Sequence, residues 1–166
     1  RTLIEAAENE VEYTAEDFIV AEDNHVLVTA DGWVKRQKEI NPETTRLREG
    51  DRILALVPGS TRAAITFFTN FGTAYTARII DIPATTGYGE PIQKLFKLKD
   101  GEKVVSAISM DDRILQPKLT AVDEKKPDAA PKLAGLAVTT DGYALRFGLD
   151  TFREVSTKSG RRFARP

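Results

Sequence analysis

The chain has 166 residues, of which 41% are hydrophobic and 30% charged, and it has no cysteine. This composition reads as a soluble globular chain, long enough for one sizeable core or for several small stacked units. It leaves out disulfides, thiolate metal sites and cysteine nucleophiles, it is compatible with a reducing cytosol, and no apolar run approaches the ~20 residues that span a bilayer. The opening at Arg1, with neither an initiator Met nor a signal-peptide pattern, is expected of a fragment. The net charge of −1 is unevenly spread. Residues 1–24 hold eight acids against Arg1, and the rest of the chain has 23 bases against 17 acids. An acidic lead therefore precedes a basic body.

In chain order, residues 1–15 read as an acidic linker. Phe18–Val20 and Val26–Val28 read as short strands, with Asp23-Asn24 as turn chemistry between them. Asp31-Gly32 is a hairpin signal, since Gly permits the positive φ of a two-residue turn, and Trp33-Val34 resumes the strand. Thr44–Glu49 is a polar, basic loop. Arg52–Val57 is a strand ended by Pro58-Gly59. The pattern restarts with Ala64–Thr69, Gly72 and a strand over Thr73–Ile82. Ala84–Pro91 is a Gly-rich loop, Lys94–Leu98 alternates as a strand would, Asp100-Gly101 turns, and Lys103–Ile108 is a strand. A third unit begins at Leu136–Thr139, turns at Gly142, runs through Tyr143–Phe147 and breaks off over Ser159–Pro166.

The three hairpins share one design: an apolar strand, a tight turn with Gly, and a second strand carrying a cation. Gly32 and Gly72 are 40 residues apart, about one four-stranded propeller blade, whereas Gly72 and Gly142 are 70 apart. A second landmark, Gly50 and Gly101 ahead of each unit's last strand, locates the difference. Eleven extra residues fall around Gly87–Gly89, and nineteen fall between units two and three, where 123–132 read as an exposed loop.

Taken together, three features resemble the C-terminal domain of the A subunit of bacterial type IIA topoisomerases, that is, of DNA gyrase or topoisomerase IV. They are Arg1-Thr2-x-Ile4 with Glu16–Ile19, Gly32–Arg36, and the ordered Thr-x-x-Gly hairpins with Gly-Asp/Glu turns. The resemblance implies an all-β fold, a β-pinwheel of four-stranded blades that exchange strands. About two and a half to three blades are expected here: one over 16–60, a second over 61–112 and a partial third over 113–166. It implies a non-catalytic domain that binds and bends or wraps duplex DNA for a strand-passage core. Its partners would be the B subunit together with the rest of the A subunit, and the site cytoplasmic, at the nucleoid. The catalytic residues would lie outside this chain, with no cofactor, metal or membrane in this part. Gyrase's wrapping box, rich in Gln, Arg, Gly and Lys, has no counterpart: Thr85–Pro91 lacks the cations, and Thr45–Gly50 is basic but lacks the Gly pair.

The candidate DNA-binding residues fall in two groups. Lys35, Arg36 and Lys38 follow the first hairpin, with Arg78 and Arg146 in similar places on the others and Arg46 and Arg48 on the basic loop. Arg153, Lys158, Arg161, Arg162 and Arg165 form the densest basic cluster, with Ser and Thr hydroxyls that suit phosphate oxygens. The competing readings are solvated strand positions for the first group and a basic tail for the second. Trp33, Tyr75 and Tyr143 read as packing residues, His25 as a turn residue, and Asp100, Asp111 and Asp112 as solvated turn carboxylates. One His and no Cys make neither a metal site nor a catalytic triad. The alternative function is a propeller-like protein-interaction module.

Overall fold

Period-two apolar patterns before and after each hairpin Gly let one face of each hairpin be buried, and the described residues form ten strands in all. The computed structural model describes residues 18–115 and 133–166. The strands are β1 (Asp23–Thr29), β2 (Trp33–Gln37), β3 (Ile53–Ser60), β4 (Ala64–Thr69), β5 (Thr73–Arg78), β6 (Glu90–Pro91), β7 (Val104–Ser109), β8 (Ala134–Val138), β9 (Ala144–Gly148) and β10 (Arg161–Arg162). The first sheet runs β3-β1-β2-β6, the second β10-β5-β4-β7, and the third is the hairpin β8-β9. This is the expected all-β, blade-like arrangement.

The sheets do not follow contiguous blocks of chain. Each four-stranded sheet takes its outer strand from the unit that follows it: β6 comes after β5, and β10 comes after β9. The register repeats, with Trp33 opposite Pro91 and Val34 opposite Glu90, then Thr73 opposite Arg162 and Ala74 opposite Arg161. The Ile92 and Phe163 amides donate to the Gly32 and Gly72 carbonyls, both at 2.8 Å. The eleven extra residues of unit two are thus the exchanged strand and its approach. Residues 159–166 likewise supply the outer strand of the second sheet. Close approach of the exchanged loop requires glycine. A Cβ on Gly89 would lie 2.3 Å from the Val34 carbonyl oxygen, and one on Gly160 would lie 2.7 Å from that of Ala74.

Several local expectations are corrected. Phe18–Val20 is not a strand, and Asp23-Asn24 opens β1 instead of turning, because Asp23 and Asn24 pair with Ser60 and Gly59. For the same reason β3 continues through Pro58-Gly59. β5 stops at Arg78 and gives way to a 3-10 turn, Ile79–Asp81. Lys94–Leu98 forms the end of a 3-10 turn and a loop, with Phe96 buried. The 1–15 linker and the 123–132 loop lie outside the described residues.

One core joins the first two sheets through Val26, Val28, Val34, Ile65, Phe67, Tyr75, Ile79 and Ile92. A second links the second sheet to the third hairpin. There Phe68 makes edge contacts with Phe152 and Phe163, and Phe147 packs on all three. The third hairpin is the least covered. Leu136 and Val138 are 69% and 66% exposed, while Val26 and Val28, at the same register positions of the first blade, are fully buried.

Candidate nucleic-acid interface

The candidate cations separate into those used inside the fold and those left at its surface. Lys35 has no exposed surface. Its ammonium donates to the carbonyls of Arg46 at 2.9 Å and Gly87 at 2.8 Å. It therefore ties the basic loop of the first blade to the loop carrying the exchanged strand. Burial, with the nearby Arg46 charge, lowers its pKa below the ordinary lysine value. Lys35 is corrected from a surface position to an internal strut. The alternation of β2 puts it on the face of Leu27, opposite Val34, where these two loops cover it, and Tyr75 fills the same register position in the second blade.

Arg36 is also held by the protein. Its Nε donates to the Ile82 carbonyl at 2.8 Å, and its terminal nitrogens reach Asn24 Oδ1 and the Ile80 carbonyl. In the second blade Thr76 occupies the Arg36 position, and its hydroxyl donates to the Phe152 carbonyl at 2.8 Å. Ile82 and Phe152 stand equally far past their hairpin glycines, so both bonds make the same blade-to-blade connection. Arg146, at this position of the third hairpin, is exposed. Arg78 is two places further on, in register with Lys38, and is half-buried.

In the second group, Arg161 is half-buried and donates to the carbonyls of Thr151, Glu154 and Val155. Arg153 pairs with Asp112 and Asp150, and Lys38 pairs with Glu22. Arg46, Arg48, Lys158, Arg162 and Arg165 are exposed and form no ion pair among the described residues. The Arg48 guanidinium lies 4.5 Å from the centroid of Trp33, which holds it in place without neutralising it.

The structure brings Arg46 and Arg48 into correspondence with residues the sequence reading passed over. Arg46-Leu47-Arg48-Glu49-Gly50-Asp51-Arg52 and Lys97-Leu98-Lys99-Asp100-Gly101-Glu102-Lys103 share one pattern, residue class for residue class. Their backbones are used alike. Arg52 and Lys103 carbonyls accept from the hairpin-turn amides of Ala30 and Asn70. The Lys97 carbonyl, like that of Arg46, faces the side chain beneath it, with Tyr75 Oη at 3.4 Å. Arg52, Lys97, Lys99 and Lys103 are all exposed. The Lys97 amide also donates to the Lys158 carbonyl, so Lys158 joins the second set. The missed signal was the heptad itself, 51 residues apart, of which only the Gly stands out as a landmark.

Tyr75 is buried, and burial with its hydrogen bond to Glu102 raises its pKa well above the ordinary value. Trp33 is half-buried, but Tyr143 is corrected from a packing residue, being exposed at the open third hairpin, and His25 from a turn residue, since it lies in β1 with Nδ1 2.9 Å from the Lys38 carbonyl. Asp111 is corrected from a solvated turn residue. It is buried, accepts from the Ser60 amide at 2.9 Å and pairs with Arg113. That hydrogen bond to Arg113 holds its pKa at about 2. Among the described residues, no group of three or more His, Cys, Asp or Glu could hold a metal. No helix among them is long and apolar enough to cross a membrane.

The family model described as "DNA gyrase C-terminal domain, beta-propeller" matches residues 64–109 and 136–164. These are the second blade and the third hairpin with its exchanged strand. The match covers 75 of the 166 residues, and over them the chain is similar to this family. It is 27% identical over 103 residues to the A subunit of DNA topoisomerase 4 from Caulobacter vibrioides, covering 61% of this chain and 14% of that one. It is 34% identical over 106 residues to the A subunit of DNA gyrase from Streptococcus pyogenes serotype M3, covering 57% and 13%. The chain thus spans about a seventh of the length of these relatives. Its fold resembles the solved structures "Structure of the E. coli ParC C-terminal domain" (TM-score 0.64, 20% identity, 84% of this chain and 50% of that one) and "Crystal structure of the C-terminal domain of DNA topoisomerase IV" (0.65, 21%, 86% and 41%). Both gyrase and topoisomerase IV are therefore represented among its relatives.

Proposed function

We propose that this C-terminal domain of a gyrase or topoisomerase IV A subunit binds duplex DNA and bends it toward a strand-passage core. Its partners would be the B subunit together with the remainder of the A subunit, at the bacterial nucleoid. The observation that carries this reading is the recurrence of exposed cations outside ion pairs at matching places on consecutive blades. Polyanion binding by such a surface releases counterions, and each neutralised phosphate steepens the salt dependence by about 0.9 in log–log slope. The net charge of −1 does not oppose it, because eight of the acids precede residue 25 and several bases are enclosed. A fluorescence-anisotropy titration with labelled duplex at low and moderate salt tests the proposal. Binding that weakens steeply with salt is expected; absent or salt-insensitive binding overturns it.

A further inference from the structure

We infer that the two heptads, 46–52 and 97–103, are copies of one phosphate-binding device, and that a duplex crosses the first two blades along them. The inference rests on the DNA-binding reading and assigns its contacts.

Each heptad has three cations and two acids, which on paper nearly cancel. The fold separates them. The acid after the Gly turns inward in both blades. Asp51 is half-buried and accepts the amides of Asp31 at 3.1 Å and Arg52 at 2.8 Å. Glu102 is buried and accepts the Thr69 hydroxyl at 2.7 Å, the Tyr75 hydroxyl at 3.0 Å and the Lys99 amide at 2.8 Å. Glu102 thus closes its turn against the hairpin Thr69 and Tyr75, and Asp51 closes its own against the hairpin-turn amide of Asp31. The acid before the Gly, Glu49 or Asp100, stays exposed, and neither forms an ion pair with a described residue.

Each heptad therefore presents three exposed cations against one exposed acid. Arg46 matches Lys97, Arg48 matches Lys99, and Arg52 matches Lys103. All six sit on turns whose backbones are pinned at both ends, by Lys35 or Tyr75 beneath and by the hairpin turn alongside. Pinned turns offer charges at fixed spacing, which lowers the ordering cost of contacting a phosphate backbone. The pattern contains no side chain suited to bidentate reading of one base sequence across both copies, since Arg and Lys interchange at every cationic place. That interchange fits phosphate contacts, which position without specifying sequence.

The loop 84–91 contributes no cation, so in the first blade the device relies on Arg46, Arg48 and Arg52. This separates the site from the strand cations, of which Lys35 and Arg36 are held inside.

The test uses the 166-residue chain and a labelled mixed-sequence duplex, titrated at several salt concentrations. The variants are Lys97→Gln/Lys99→Gln/Lys103→Gln, Arg46→Gln/Arg48→Gln/Arg52→Gln, and a control, Lys38→Gln/Lys94→Gln. Each triple variant should flatten the salt slope by about two to three, and each lost contact should weaken binding roughly eightfold near 0.1 M salt. The control should change the slope by less than about one. Near-UV circular dichroism checks folding, and single Lys99→Gln and Arg52→Gln variants, each expected to cost about one slope unit, replace any triple that unfolds. If the parent binds with a steep slope that the heptad variants leave unchanged, the assignment is overturned and DNA binding stands. If the parent shows no salt-sensitive binding, both fall.

Discussion

Replacing Gly89 with alanine tests whether the exchanged strand holds the first blade to the second. The new methyl group would lie 2.3 Å from the Val34 carbonyl oxygen and 2.9 Å from its carbon. Those atoms belong to β2, which is paired on its other side with β1, so they cannot move aside without disturbing the sheet. The exchanged strand must retreat instead. Retreat weakens the pairing of Glu90 with Val34 and the Ile92 amide bond to Gly32, at about 0.5–1.5 kcal/mol per hydrogen bond. It also uncovers Ile92, which is fully buried, at up to ~1.5–3 kcal/mol. The φ of +86° adds about 1–2 kcal/mol for any residue with a Cβ. The expected loss is about 3–6 kcal/mol. Gly50 is the control, because its φ is +78° and nothing lies within 4 Å of a built Cβ. Gly50→Ala should cost only the backbone component, about 1–2 kcal/mol. Urea unfolding followed by fluorescence reads both, since Trp33 is the sole tryptophan and pairs with Pro91 of the exchanged strand. Equal losses for the two variants would refute the reasoning, because the contacts with Val34 and the adjoining Lys35 Cβ of β2 distinguish the sites.

Glu102→Ala should destabilise the chain by about 3–5 kcal/mol in urea, since it strands the Thr69 and Tyr75 hydroxyls and the Lys99 amide in a buried place; Glu102→Gln, which keeps one acceptor oxygen, should cost less. Arg36→Met should cost about 2–4 kcal/mol by removing its bonds to Ile82, Ile80 and Asn24, and should leave the salt slope of DNA binding unchanged. The Asp111 pKa is depressed to about 2, first by its hydrogen bond to Arg113. Its stabilisation is therefore complete above the ordinary value of 3.8 and lost as pH falls toward about 2. With the Arg113 guanidinium largely in water, the contribution is about 1–2 kcal/mol. Urea midpoints near pH 5 and near pH 2 should converge in Asp111→Asn by that amount relative to the parent.

The hairpins, the period and the all-β class were legible because glycine turns and two-residue alternation are local signals. Strand exchange was not locatable from the residues alone. Glu90-Pro91 and Arg161-Arg162 are two-residue strands with no apolar pattern, and their partners lie more than 50 residues earlier. Only Gly89 and Gly160 mark them, and their reason is a carbonyl in another blade. The basic surface was half legible. Arg46 and Arg48 stand out by local charge density. Lys97, Lys99 and Lys103 were hidden by acids between them, although Glu102 is turned into the core. Lys35 and Arg36 were misplaced because strand alternation and the next blade decide what is covered.

The register explains why charge alone misleads in this fold. Lys35, Tyr75 and Leu145 occupy one position, and Arg36, Thr76 and Arg146 another. In the first two blades, the recurring element at both is a backbone carbonyl offered by a neighbouring loop, and an ammonium, a guanidinium or a hydroxyl can serve as donor. Cations there respond to the needs of the blade junction, so they can be exchanged for neutral donors without altering the surface. At the turn before the third strand the recurring element is the side-chain charge, since Arg and Lys alternate but neither gives way to a neutral residue in the two copies present. A position that keeps its hydrogen bond and varies its charge belongs to the fold. One that keeps its charge while exposed to water, making no ion pair within the described chain, is best explained by a ligand of opposite charge.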